Sequence, residues 1–261
     1  MIKGLDKFNE YFSDFRGHYI LIGGAASDLV LENAGIAFRA TKDLDIVLCL
    51  EALDVDFAKA FWVFIKAGGY ENQQRSSGKK IFYRFDHPQD DTFPFMLELF
   101  SRTPDTLVPG DDSQLTPIPV SDEITSLSAI LLDNDYYQFI HQHKMEIQGV
   151  PVVSEACLIP LKAKAWLDLS DRVAAGGKVD SRDIKKHKND VFRLFQIMPP
   201  DLRIELPESI KKDMDRYFVA LMDAPDLSLK DFGLNGIKVS DVVGSLRQIY
   251  QLPEHVSTEG Q

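Results

Sequence analysis

The segment Ile22-Gly23-Gly24-Ala25-Ala26-Ser27, followed by Lys42-Asp43-Leu44-Asp45-Ile46-Val47, constrains this chain more than any other. The apolar residues 19–22 read as a strand and the paired glycines as a turn. A helix follows, and then a second strand carries two aspartates. Residues i and i+2 of a strand project from the same face, so Asp43 and Asp45 point together, anchored by Leu44, Ile46, Val47 and Leu48. Two carboxylates on an apolar strand repel each other and are poorly solvated. A divalent cation removes that conflict, and hard oxygen ligands suit magnesium. A glycine turn entering a helix N-terminus can hold phosphate. Together these features point to metal-assisted nucleotidyl transfer. Each part also has a plainer reading: a tight turn for Gly23 and Gly24, and a solvated strand edge for Asp43 and Asp45.

The 261 residues suffice for one large domain or two modest ones, with 44% hydrophobic and 26% charged residues, ordinary for a globular protein. No apolar run reaches membrane-span length and no signal peptide is evident, so no membrane association is expected. Two cysteines without metal-ligand spacing fit a cytoplasmic location, and Cys49 reads as a core residue. The net charge of −11 argues against nonspecific DNA binding. Lys178, Arg182, Lys185, Lys186 and Lys188 form a local basic segment, read either as a basic site or as a solvated helix face.

Hydrophobic periodicity divides the chain into an α/β half, residues 1–153, and a helical half, residues 154–261. In the first half, helices are expected at 5–15, 27–33 and 57–67, and strands at 19–22, 43–50, 80–85, 93–100 and 127–132. A glycine-centred strand pair is expected at 146–153. Residues 104–119, rich in proline, read as an irregular connection with a short edge strand, and 136–143 is ambiguous. Helices are expected at 155–171, 182–198, 208–222 and 239–250. Pro160 suggests that the first of these begins near Ile159.

Glu98, within Phe95-Met96-Leu97-Glu98-Leu99-Phe100, is the candidate third carboxylate, with ion pairing to Arg84 or Arg102 as its alternative. Asp86 competes for the role but adjoins a polar turn and reads as more exposed. Lys162 and Asp190 lie nearly symmetrically about Gly176-Gly177, so an antiparallel helix hairpin would set them at similar height. They then face one pocket or form a structural ion pair. Arg39 and Lys42 flank the aspartates, where they either meet phosphate or, as expected, face solvent; His141 and His143 read as surface residues.

With Gly23, Gly24, Asp43, Asp45 and Glu98 in view, the chain resembles the polymerase beta-like nucleotidyltransferase superfamily. The segments Leu158-Ile159-Pro160-Leu161-Lys162-Ala163-Lys164-Ala165 and Lys186-His187-Lys188-Asn189-Asp190-Val191 make it most similar to the AbiEii/AbiGii-type nucleotidyltransferase toxin family. The resemblance implies an α/β (α+β) fold: a mixed nucleotidyltransferase sheet with flanking helices, then a C-terminal helical bundle completing the nucleotide pocket. It implies magnesium, two ions with manganese as the alternative, held by Asp43, Asp45 and Glu98. Gly23, Gly24, Ser27 and Lys162 would bind the nucleoside triphosphate, and Asp190 would orient Lys162 or bind the acceptor or base. The family often has Ser or Thr after the glycines; here Ala25 stands there, and Ser27 carries the nearest hydroxyl in that segment. The implied reaction moves a nucleoside monophosphate from a nucleoside triphosphate to an acceptor hydroxyl, with tRNA as acceptor and a cognate antitoxin as partner. The contrasting readings are transfer to a small molecule or a protein, and a nucleotide-binding module without turnover.

Overall fold

The computed structural model describes residues 2–74, 80–102, 115–118, 127–223 and 228–253, and for 72–74, 80–83, 115–118 and 127–131 it describes the backbone alone. The chain divides into two compact units, Met1–Ser154 and Glu155–Gln261. The first is an α/β unit built on a mixed sheet and the second is helical.

In the first unit, α1 (Leu5–Phe12) runs into a 3₁₀ turn (Ser13–Phe15). Next come β1 (Tyr19–Ile22), α2 (Gly23–Asn33), β2 (Asp43–Leu48), α3 (Val55–Gly68), β3 (Glu71–Gln74), β4 (Lys80–Asp86) and β5 (Met96–Ser101). The strands β6 (Leu115–Ile118) and β7 (Leu127–Leu131), the helix α4 (Asn134–Gln142), and β8 (Lys144–Ile147) and β9 (Val150–Val153) complete it. Most of the proline-rich connection expected at 104–119 lies outside the described residues; its β6 strand pairs with β7.

The strand order is β3-β4-β5-β2-β1-β9-β8, and β7 also pairs with β5. β1 and β2 are antiparallel, β2 and β5 parallel, β4 and β5 antiparallel, and β1 and β9 parallel. Alternation gives the sheet two unlike faces. Leu44, Ile46 and Leu48 of β2 and Leu97 and Leu99 of β5 are buried on one face. Asp43, Asp45, Met96 and Glu98 are half-buried on the other.

The apolar face packs beneath an aromatic cluster from α1 and α3. Phe12 is fully buried, with ring centroids 4.4 Å from Phe8, 5.5 Å from Phe64, 5.7 Å from Phe57 and 6.1 Å from Phe61. Phe61 reaches the sheet at Phe85, 5.5 Å away. α3 starts where the Asp54 carboxylate accepts the Phe57 N–H at 2.8 Å and stops at Gly69, whose φ of 63° suits glycine. Cys49 is buried here, which pushes its thiol up to about 12. Phe57 also lies flat against His18, centroids 5.4 Å apart.

The helical unit holds α5 (Glu155–Ala174), α6 (Ser181–Phe195), α7 (Glu208–Met222), a 3₁₀ turn (Lys230–Phe232) and α8 (Val239–Ile249). α5 starts at Glu155, not near Ile159 as the proline suggests. Pro160 has no N–H to give the Ala156 carbonyl. That carbonyl accepts the Tyr250 hydroxyl instead, at 2.9 Å, so the first turns persist. The ambiguous stretch near 136–143 is α4, capped by Asp133 on the Asp135 N–H. His141 and His143, expected at the surface, are half-buried against Tyr137 and Phe139. No described helix is long and apolar enough to cross a membrane.

Phe12→Ala removes the ring at the centre of the aromatic cluster. A loss of about 3–5 kcal/mol is expected from urea denaturation, as for other buried phenylalanines.

Candidate active site

The carboxylates are assembled by strand register. Asp45 pairs with Ile22 on one side and with Glu98 on the other, and Glu98 pairs with Arg84. One row across four strands therefore reads Ile22, Asp45, Glu98, Arg84. The neighbouring row on the same face runs Asp43, Met96, Asp86. Four carboxylates thus share one face of the sheet, two from β2 and one each from β4 and β5.

The glycine turn closes one end of this row. Gly23 has φ 68°, and a Cβ there would collide with the Asp45 carboxylate. Glycine is required on both counts, and its absent side chain lets Asp45 lie against the first turn of α2. A Cβ on Gly24 would stand 2.9 Å from Thr41 Oγ1 and 3.6 Å from Arg39 Nη2. A hydroxyl and a guanidinium therefore flank the second glycine. Ser27 is fully buried and donates to the Gly23 carbonyl at 2.7 Å, so its hydroxyl is committed to the helix's own first turn. Ala25 is buried as well. Asp28, farther along α2, is buried, which pushes its carboxyl above the ordinary range against the opposing charge of Arg39.

Thr41 escapes a motif-based reading because it lies in a loop, as does Arg39, which the sequence offers as a phosphate contact but favours as solvent-exposed. Their only signal is position, two and four residues before Asp43. Arg39, read from sequence as a surface residue, is half-buried beside the turn. Lys42 is exposed, with its ammonium 3.7 Å from the centre of the Phe95 ring.

Glu98 takes the ion-pair alternative, held by the Arg84 guanidinium. Asp86 is the more exposed of the two acids, as its neighbours suggest, but by a small margin. Its side chain is 17% exposed against 13% for Glu98. It accepts a hydrogen bond from His87 Nδ1 at 2.9 Å, which holds the imidazole pKa above its ordinary value.

Among the described residues no three His, Cys, Asp or Glu side chains gather closely enough to grip a metal ion. The donor chemistry nevertheless fits a hard divalent cation: Asp43, Asp45 and Glu98 offer carboxylate oxygens from one face. Binding would require Glu98 to yield part of its bond with Arg84.

In the helical unit, α5 and α6 bring Lys162 and Asp190 together, Nζ to Oδ2 3.2 Å. Lys162 is 3% exposed and Asp190 is 0% exposed. Arg193 donates to the other Asp190 oxygen at 3.0 Å. The buried carboxylate is thus shared by two cations. Tyr217 is also buried; desolvation and the charge of Asp190 push its phenol pKa up.

No protein-family model matches the chain, and no curated protein matches it. Among solved structures, the crystal structure of the Megavirus polyadenylate synthase aligns with a TM-score of 0.38 and 12% identity. That alignment covers 84% of this chain and 36% of the viral one.

Removing one member of a buried ion pair leaves an uncompensated charge. Asp190→Ala, which strands Lys162, is expected to cost about 3–5 kcal/mol in urea denaturation, within the usual range for buried pairs. A loss no larger than that of an exposed pair would mean that Lys162 finds other solvation.

Proposed function

We propose that the chain is a metal-dependent nucleotidyltransferase that moves a nucleoside monophosphate from a nucleoside triphosphate to an acceptor hydroxyl. The observation carrying this reading is the in-register row in which Asp45 lies between the glycine turn and Glu98, with Asp43 one row away. Magnesium, with manganese as the alternative, would be held by Asp43, Asp45 and Glu98. When bound, it would offset the charge of the triphosphate and of the reacting oxygens.

The chain's own groups have separable tasks. The Gly23-Gly24 turn leaves backbone room for phosphate at the start of α2. Thr41 and Arg39 flank that space with a hydroxyl donor and a fixed positive charge, which supports phosphate binding where Ala25 offers no hydroxyl. Arg84 holds Glu98 in place until a cation competes for it. Glu98 is also the candidate acceptor of the attacking hydroxyl's proton. In the helical unit, Lys162 would neutralise charge on the leaving pyrophosphate, with Asp190 orienting it. An acceptor in tRNA and control by a cognate antitoxin follow from the family resemblance alone.

The Glu98–Arg84 pair favours one alternative: a module that binds nucleotide without turnover, its third carboxylate permanently occupied. Magnesium-dependent pyrophosphate release separates the two. Each nucleoside triphosphate, labelled at the α-phosphate, is incubated with the protein and fractionated cell extract. Label entering RNA, protein or a small metabolite identifies the acceptor class. Nucleotide binding without release supports the module.

Asp43→Asn combined with Asp45→Asn should reduce transfer by roughly 10²-fold or more with circular dichroism unchanged, the scale seen when key electrostatic groups are removed. Wild-type transfer by this variant would sink the proposal. Thr41→Val should weaken triphosphate binding by about tenfold in calorimetry, equivalent to one hydrogen bond of roughly 1.4 kcal/mol. Unchanged affinity would remove Thr41 from the site.

A further inference from the structure

The helical unit contains a cavity of about 690 Å³ that the proposed chemistry does not use. It is lined by Lys188, Lys230 and Lys238, and none of its described lining residues is acidic. This is unusual in a chain with 40 acidic and 29 basic residues. Two other cations of the basic segment are locally neutralised: Arg182 pairs with Asp180 at 2.7 Å and Lys186 with Asp183 at 2.9 Å. Among the described residues, Lys188, Lys230 and Lys238 have no ion-pair partner.

The same cavity gathers exposed apolar surface. Met222 is 54% exposed and Ile237 is 39% exposed, two of the four large hydrophobic side chains that stand out in solvent among the described residues. Both line the cavity, over a floor that includes Leu229 and Leu234. A second cavity of about 450 Å³ shares Met222 and Ser240 with the first and continues along α7 and α8 past Val219 and Val243. Together they form an elongated groove whose first half is cationic and apolar. The second half contains Asp223, and Arg247, whose guanidinium is bound to Asp215 at 2.6 Å. The positive charge is therefore concentrated at one end.

We propose that this groove docks a segment of a partner protein in which acidic residues adjoin a large apolar side chain. The apolar anchor would cover Met222 and Ile237 while the carboxylates meet the three lysines. The groove fits a peptide better than a nucleic acid. Among the described residues, Phe192 is the sole aromatic lining the cationic half. It is fully buried and stacked on Phe232, centroids 5.8 Å apart, so it offers no ring face for a base. The inference stands apart from the nucleotidyltransferase reading and survives if that reading fails.

The test is selection of phage-displayed random 12-residue peptides on the full chain. The Lys188→Glu, Lys230→Glu, Lys238→Glu triple variant is present in solution as competitor. Enriched peptides are then synthesised and titrated by fluorescence anisotropy, alongside a 12-nucleotide single-stranded RNA. The expected peptides are acidic with at least one bulky apolar residue. They should bind the triple variant at least tenfold more weakly, and should lose affinity to Ile237→Asp, an exposed change that spares the lysines. Four outcomes overturn the proposal: no enrichment, enriched peptides without acidic residues, equal binding to the triple variant, or tighter lysine-dependent binding of the RNA.

Discussion

The parallel, in-register pairing of β2 with β5 is the constraint on which the candidate site depends. It sets Asp45 beside Glu98, and it is enforced from the opposite side of the sheet. Leu44, Ile46, Leu97 and Leu99 fill the apolar face beneath α1 and α3. A one-residue slip of β5 would carry Glu98 into that layer and bring Met96 and Phe100 out of their places. Burying an unpartnered carboxylate there would cost several kcal/mol. The hydrophobic core thus selects the register, and the register arranges the acids.

Much of this was legible from alternation. The strand leading into Gly23, the strands bearing Asp43 and Glu98, and the helices bearing Lys162 and Asp190, follow from periodic apolar residues. The approach of Lys162 to Asp190 follows from their spacing about Gly176-Gly177. What escaped lies where periodicity is silent. Thr41 and Arg39 occupy a loop, and their nearness to Gly24 depends on how that loop returns to the sheet. Asp86 is slightly more exposed than Glu98, as the adjoining polar turn implies, yet strand register sets it on the same face as the other acids. The strand β3 has the sequence Glu-Asn-Gln-Gln and lacks an apolar alternation; its pairing with β4 makes it a strand. Glu98 could be read as a buried acid with a choice of partners, but the winner, Arg84, emerges from register.

Electrostatic context differs between the two halves of the chain. The sheet face concentrates carboxylates and relieves one of them, Glu98, with Arg84. The helical unit buries a carboxylate between Lys162 and Arg193 and displays lysines elsewhere at its surface. A net charge of −11 hides this partition. Total charge therefore bears on bulk attraction to polyanions, while local patterns decide what an individual surface attracts.

The Tyr250 hydroxyl, spending itself on the carbonyl that Pro160 strands, has a consequence for synthesis. Elongation delivers the proline-bearing helix some ninety positions before its capping phenol. A chain without the Tyr250 hydroxyl leaves that backbone oxygen in the opening turns of α5 without this donor, and an unmet buried acceptor costs about 1–3 kcal/mol.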